Sequence, residues 1–270
     1  MTKKKLGSLV KDIYQFLEKG EVDVEALSKD IATSLASKIG TTRAPSLSMS
    51  QLGKPARRLW NDINYPAEVG GQARLKFLYG DIIEAVILHL AKAAGHTVTD
   101  QQKVVEVDGV KGAIDAVIDS DYLVDVKSAS PYTFEKFKKS TLADEDSFGY
   151  LPQINGYNEK LKKPYKAFIV VNKVTGEILV YNVDDYFESV DVHKLIKDKK
   201  EMLESKQPPQ PCYNPVPFGK SGNEVVPKQC KWCPHLKRCW KDAKPVEYST
   251  GIEYFTKIVK MPKKLKETLQ

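Results

Sequence analysis

Residues 122–130 read YLVDVKSAS, from Tyr122 to Ser130. Tyr122-Leu123-Val124 has the aromatic and β-branched character of a buried strand. The run then continues Asp125-Val126-Lys127. Side chains alternate along a strand, so the acid and the lysine point to one face. Burying that pair is costly, because each ion must shed its water. A salt bridge at a strand end is the ordinary explanation of an isolated Asp-x-Lys. This one has company. Asp115 interrupts another apolar run, GAIDAVI (112–118), and only DSD (119–121) separates the two. So short a turn makes the runs antiparallel neighbours and brings the Asp115 and Asp125 carboxylates together. Two such groups at close range repel unless a cation lies between them.

Outward from this pair, KVVEV (103–107) reads as a strand preceding GAIDAVI across DGVK. KAFIVVN (166–172) and EILVYNV (177–183) form a further hairpin across KVTG. Helical spacing runs through Leu6, Leu9, Val10, Ile13, Tyr14 and Leu17, then Val24, Leu27, Ile31 and Leu35, with Gly40 and Pro45 closing the region. A long apolar-faced helix is expected over 72–94, ended by Gly95, another near 150–162, and a charged one over about 184–205. Residues 131–148 read as a polar stretch. The order predicts a mixed α/β (α+β) sheet, flanked by helices, with YLVDVK as its central strand. Expected divisions are an N-terminal helical region (1–45), a core (46–205), a cysteine segment (206–240) set off by PPQP (208–211), and a basic tail (241–270).

The chain has 270 residues, and 42 Lys+Arg against 35 Asp+Glu give a net charge of +7. That is a mild bias toward a polyanion. No apolar run reaches the length of a membrane span, no secretory leader is legible at the N-terminus, and a cytoplasmic protein without membrane contact is expected. The four cysteines all lie after residue 211, which suits a metal site in a reducing compartment better than disulfides.

Hard carboxylate ligands suggest Mg²⁺ or Mn²⁺. Glu84, in DIIEAVILHL, is the third candidate acid; it either faces solvent or projects onto the sheet to complete the set. The Val126 carbonyl is a further candidate ligand. A divalent ion beside Lys127 can activate water and offset charge on a phosphodiester, with the lysine orienting or deprotonating the water or steadying the pentacovalent phosphate. Lysine suits such a role better than arginine, being compact and able to shift its pKa.

Glu84, Gly112-x-x-Asp115 and Asp125-x-Lys127, in this order, resemble the PD-(D/E)xK nuclease superfamily, whose restriction-endonuclease-like core has a similar order of elements. Gln153-x-x-x-Tyr157, in YLPQINGY, looks like the QxxxY motif of the RecB-like branch, which includes CRISPR-associated and phage exonucleases. Gln153 and Tyr157 lie one helical turn apart, on one face, and the resemblance implies that they orient the DNA strand. Gly80-x-x-x-Glu84 resembles that branch's first motif, whose last position is often His. His89 reads as incidental.

Cys230-x2-Cys233-x5-Cys239, with Cys212 upstream, can hold Zn²⁺ or an iron–sulfur cluster. The spacing resembles the C-terminal iron–sulfur triad of RecB-like exonucleases and implies [4Fe–4S], with Zn²⁺ the alternative. In those proteins the fourth cysteine lies upstream of the core; the comparable stretch here, SLSMSQLGKPARRLW (46–60), has Lys54, so Cys212 is the expected fourth ligand. His235 could replace a thiolate but reads as a surface residue. Lys231, Lys237 and Arg238 are candidates to touch phosphate. Arg57 and Arg58, at a helix start, are expected to contact the DNA backbone. Trp60, Tyr150 and Trp232 are candidates for base stacking, though core packing is the ordinary fate of each. Lys136, Lys138 and Lys139 could grip a strand.

The function expected from these residues and the resemblance is a metal-dependent DNA exonuclease of recombination, repair or phage DNA processing. It would act on single strands or duplex ends, alone or with a recombination or single-strand-binding partner. A structure-specific endonuclease and a catalytically silent DNA-binding adaptor are the alternatives.

Overall fold

The computed structural model describes residues 6–38, 45–143, 146 and 148–262. Gly40, the lysines at 3–5 and the run 263–270 lie outside them. In chain order the elements are α1 (Leu9–Lys19), α2 (Val24–Lys38), α3 (Ala56–Asn64), α4 (Gly71–Ala93), β1 (Val98–Thr99), β2 (Val104–Val107), β3 (Val110–Ala113), β4 (Ala116–Ile118), β5 (Tyr122–Ala129), α5 (Pro131–Lys138), α6 (Tyr150–Leu161), β6 (Tyr165–Asn172), β7 (Ile178–Asn182), α7 (Val192–Glu204), β8 (Val216–Phe218), β9 (Asn223–Val225), α8 (Lys228–Lys231), α9 (Leu236–Cys239), β10 (Lys244–Tyr248) and β11 (Gly251–Lys257). Among the described residues no helix is long and apolar enough to cross a membrane.

The chain divides into two compact units, residues 1–54 with 68–201, and residues 55–67 with 202–270. The expected boundaries shift accordingly, because α3 and its two arginines belong with the cysteine segment.

The first unit is a mixed α/β fold. Its five-stranded sheet runs β1-β4-β5-β6-β7, with β5 in the middle. β5 is antiparallel to β4 and parallel to β6, with eight aligned pairs from Tyr122↔Tyr165 to Ala129↔Asn172. Successive residues feed opposite faces. Val117, Leu123, Phe168 and Val170 join α5 and α6 in one core, with Phe134, Phe137, Leu151 and Ile154. Ala116, Ile118, Val124 and Ile169 join α1 and α4 in the other, with Leu9, Ile13, Leu88 and Ala91. Both faces are therefore buried, as parallel pairing demands.

Three features depart from the expected elements. GAIDAVI is not one strand. β3 ends at Ala113 and pairs with β2 in a separate two-stranded sheet, and β4 begins at Ala116 in the main sheet. The chain changes sheets at Ile114 and Asp115, where Ile114 N donates to Lys103 O and Gln102 N to Asp115 O. Second, the polar stretch after β5 contains α5. Ser130 caps it by accepting from Thr133 N, Pro131 occupies the first turn, and Phe134 and Phe137 bury one face. Third, α7 begins at Val192, eight residues later than expected.

In the second unit, the segment read as a basic tail contributes β10 and β11 to a four-stranded antiparallel sheet, β10-β11-β9-β8. Val225, Val246 and Phe255 form its core. α3 is tied to this unit by Trp60 Nε1 donating to Ser205 O (2.9 Å) and Arg57 donating to Pro209 O (2.8 Å).

Gly112 is where β3 meets α6. A Cβ there would lie 2.6 Å from both Met49 Cβ and Tyr157 Cε1. Gly112→Ala must displace a buried ring or the segment carrying Met49. It is expected to cost about 1–3 kcal/mol, read as a lower urea midpoint at unchanged m-value.

Candidate active site

The β4–β5 register pairs Ala116 with Val124. One step further would set Asp115 opposite Asp125, but the ladder stops there. Asp115 Oδ2 instead accepts the Val126 backbone N–H at 2.7 Å. The carboxylate thus takes over a donor that the departing strand leaves free, and holds the two acids on neighbouring strands at the open end of the sheet.

Glu84 joins from α4. It is buried, with 8% of its surface exposed, and Gln102 Nε2 donates to its Oε1 at 2.6 Å. Gln102 is the linker, since its backbone N–H reaches Asp115 O. Of the two readings open for Glu84, the structure takes the one in which it projects inward. Gln102 carries no signal in the sequence, because a polar residue in a turn is ordinary.

The electrostatics reflect this convergence. Asp115 keeps some exposed surface, yet its carboxyl sits deep among protein atoms. Its pKa is raised well above the usual carboxylate range, first by burial and then by the charges of Asp125 and Glu84. Lys127 and the Val126 N–H act the other way without prevailing. Asp125 is buried and Lys127 retains 15% of its side-chain exposure, with Nζ 2.6 Å from Asp125 Oδ2. The ammonium is thus the partner of that buried oxygen. Burial disfavours the Lys127 charge, but Asp125, with help from Tyr150 and Asp115, outweighs it and holds the pKa above the ordinary lysine value. Lys127 is therefore a cation at neutral pH.

α6 supplies the next layer. Lys127 Nζ lies 3.4 Å from Gln153 Oε1 and 4.2 Å from the centre of the Tyr150 ring. Gln153 Nε2 in turn donates to Tyr157 Oη at 3.0 Å. Tyr157 is buried against Gly112 and Met49, so its hydroxyl, pushed to a raised pKa by burial and then by Asp125, serves to orient Gln153. Tyr150 belongs to this layer, as a ring beside the lysine. Lys138, the last residue of α5, pairs with Glu177, and Lys139, just after it, with Glu135. His89 is buried and pairs with Asp30 at 3.0 Å.

Among the described residues, no three His, Cys, Asp or Glu side chains stand as a closed set of metal ligands. Asp115 is turned to Val126 and Glu84 to Gln102. The donor chemistry nonetheless suits a hard divalent cation, with the Asp125 and Glu84 carboxylates both within electrostatic reach of Asp115.

In the second unit, Cys212, Cys230, Cys233 and Cys239 are unbridged and partly buried. Burial raises the Cys230 thiol, and the neighbouring charges of Cys233, Cys212 and Cys239 add to it. The other three thiols thus lie within electrostatic reach of Cys230, and thiolates are donors that suit zinc or an iron–sulfur cluster, though among the described residues they do not stand as a closed ligand set. Asn61 Nδ2 approaches Cys239 Sγ at 3.5 Å. Arg58 lies near Cys233 and Tyr213. Neither Arg57 nor Arg58 stands on a solvated basic face; each has a buried Nε without a partner, and both face the cysteine segment. His235 is buried, with Nε2 2.7 Å from Asp62 Oδ1, which corrects its reading as a surface residue. Arg238 stacks on Tyr65, 3.5 Å from the ring centre. Trp60 is core and Trp232 is 86% exposed.

No family model and no curated protein matches this chain. Among solved structures, the crystal structure of SSO0001 aligns with 81% of this chain and 95% of its own, at 14% identity and a TM-score of 0.38. A likeness that slight carries no argument.

Three crowded acids destabilise the metal-free fold. The folded pKa of Asp115 lies above its unfolded value, so stability falls as pH rises from the ordinary carboxylate range through the raised pKa. Asp115→Asn keeps an acceptor for Val126 N and removes the repulsion. In metal-free buffer at pH 8 it is expected to unfold a few degrees above the parent protein, with the gap closing toward pH 4, measured by circular dichroism melts.

Proposed function

We propose that the protein is a metal-dependent deoxyribonuclease, hydrolysing phosphodiester bonds as an exonuclease. The observation that carries this reading is the meeting of Glu84, Asp115 and Asp125 beside a Lys127 ammonium that two neighbouring strands and α6 hold in place. Three clustered acids alone would serve cation storage, and a lone ion pair would serve stability. Acids and a fixed cation together match the needs of a phosphate undergoing attack by water.

Glu84, Asp115 and Asp125 would hold Mg²⁺ or Mn²⁺, with the Val126 carbonyl as a further donor. The bound cation supplies Lewis acidity toward water and phosphate. Lys127, kept charged by Asp125, donates a hydrogen bond to the phosphate oxygens where negative charge builds up. Its raised pKa favours this role over that of a base. Gln153 sets the direction of Nζ, and Tyr157 sets Gln153. Cys212, Cys230, Cys233 and Cys239 would hold a [4Fe–4S] cluster, Zn²⁺ being the alternative, and so fasten α3 and the residues after 206 into one unit.

Lys127→Ala is expected to fold and to lose about 100-fold or more of the hydrolysis of linear DNA with Mg²⁺ or Mn²⁺. Parent-like rates from this variant would sink the assignment. Circular single-stranded DNA should resist the parent protein, since an exonuclease needs an end; cutting of circles would move the reading to an endonuclease. Binding of DNA without cutting under either metal would move it to the silent adaptor. Anaerobically purified protein is expected to be brown and to carry iron, and Cys233→Ser to be colourless with a lower melting temperature. Colourless parent protein containing zinc would assign the zinc alternative.

A further inference from the structure

Phe148 is 55% exposed. A single exposed phenylalanine is unremarkable in itself, but this one lies on a ring of the candidate site. Its ring lies on Tyr150, centroids 5.3 Å apart and planes 12° from parallel. The next residue, Gly149, has φ +79° and abuts the Gly53 backbone, so that a Cβ on Gly149 would fall 2.5 Å from Gly53 Cα. On the other side, the Asp146 carboxylate accepts the N–H groups of Gly149 (2.8 Å), Tyr150 (3.0 Å) and Leu151 (2.8 Å). Gly149, the neighbour of Phe148, is thereby fixed between the N-terminus of α6 and the Gly53 backbone.

Tyr150 is the ring that lies 4.2 Å from Lys127 Nζ. The ammonium and the Phe148 ring thus both lie against Tyr150. Around that ring stand a charged donor and a partly exposed flat apolar surface. A ligand that satisfies both has an anionic group joined to a planar ring. We propose that Phe148 is the platform on which the nucleobase flanking the scissile phosphate stacks, placing that phosphate at Lys127. This rests on the nuclease reading above and adds to it a positioning residue. Every base presents a π face, so the platform aligns a strand without selecting its sequence.

The test separates stacking from hydrolysis. A short single-stranded DNA carrying 2-aminopurine at one end, in two versions, is titrated with the protein in EDTA, where nothing is cut. With one of the two, the parent protein is expected to quench 2-aminopurine fluorescence on binding. Phe148→Leu should melt like the parent, lose the quenching and bind on the order of tenfold more weakly. Phe148→Tyr should restore both. With Mg²⁺, Phe148→Leu is expected to raise KM about tenfold and to leave kcat within about twofold. If the parent protein cuts DNA while Phe148→Leu quenches and turns over as it does, the platform is overturned and the nuclease reading stands. If the parent protein neither binds nor cuts DNA, both fall together.

Discussion

Like charges in a poorly hydrated place set the terms for the first unit. Glu84, Asp115 and Asp125 reach one neighbourhood from a helix, a strand junction and a central strand, and the charge of Asp115 is opposed by the other two. The fold offsets this with directed donors, the Val126 N–H on Asp115 and the Gln102 amide on Glu84, and with the Lys127 ammonium against Asp125. Much of the surrounding geometry follows from keeping these donors where they are. The sheet parts at Ile114 and Asp115 because a carboxylate, and not a strand, takes the next place on β5. Gly112 has no side chain because Tyr157 must lie flat against β3 to present its hydroxyl to Gln153.

The second unit solves a different problem. Its apolar core is small, Val225, Val246 and Phe255 in the sheet with Leu59, Trp60, Val226 and Leu236 besides, as small units often have. The buried His235–Asp62 pair and the Arg57 bond to Pro209 O add polar ties within it.

Much of this arrangement was legible in the residues alone. Alternation in YLVDVK placed Asp125 and Lys127 on one face, and the shortness of DSD made Asp115 their neighbour. The central position of β5 followed from the order of elements, and the Gln153–Tyr157 pair from the resemblance to a family motif. The rest was hidden for physical reasons. α5 is amphipathic over only eight residues, and its lysines and tyrosine masked the Phe134–Phe137 pair. β10 and β11 are rich in lysine and glutamate because one face of a small sheet is solvated, so they read as tail. His235 looked exposed because its partner, Asp62, is 173 residues away. Gln102 and Phe148 had no periodic context at all; only tertiary placement distinguishes them from ordinary loop residues.

β5 and β6 run parallel across eight matched positions, and the whole span of α5 and α6 is the connection between them. That pairing is a long-range event, and closing it carries the entropy of a long loop. Lys127 stands on one partner, and the groups that aim it, Tyr150 and Gln153, stand on the connecting span. Lys127 is therefore aimed only once this long connection has closed, whereas Asp115 reaches β5 through the short β4–β5 turn.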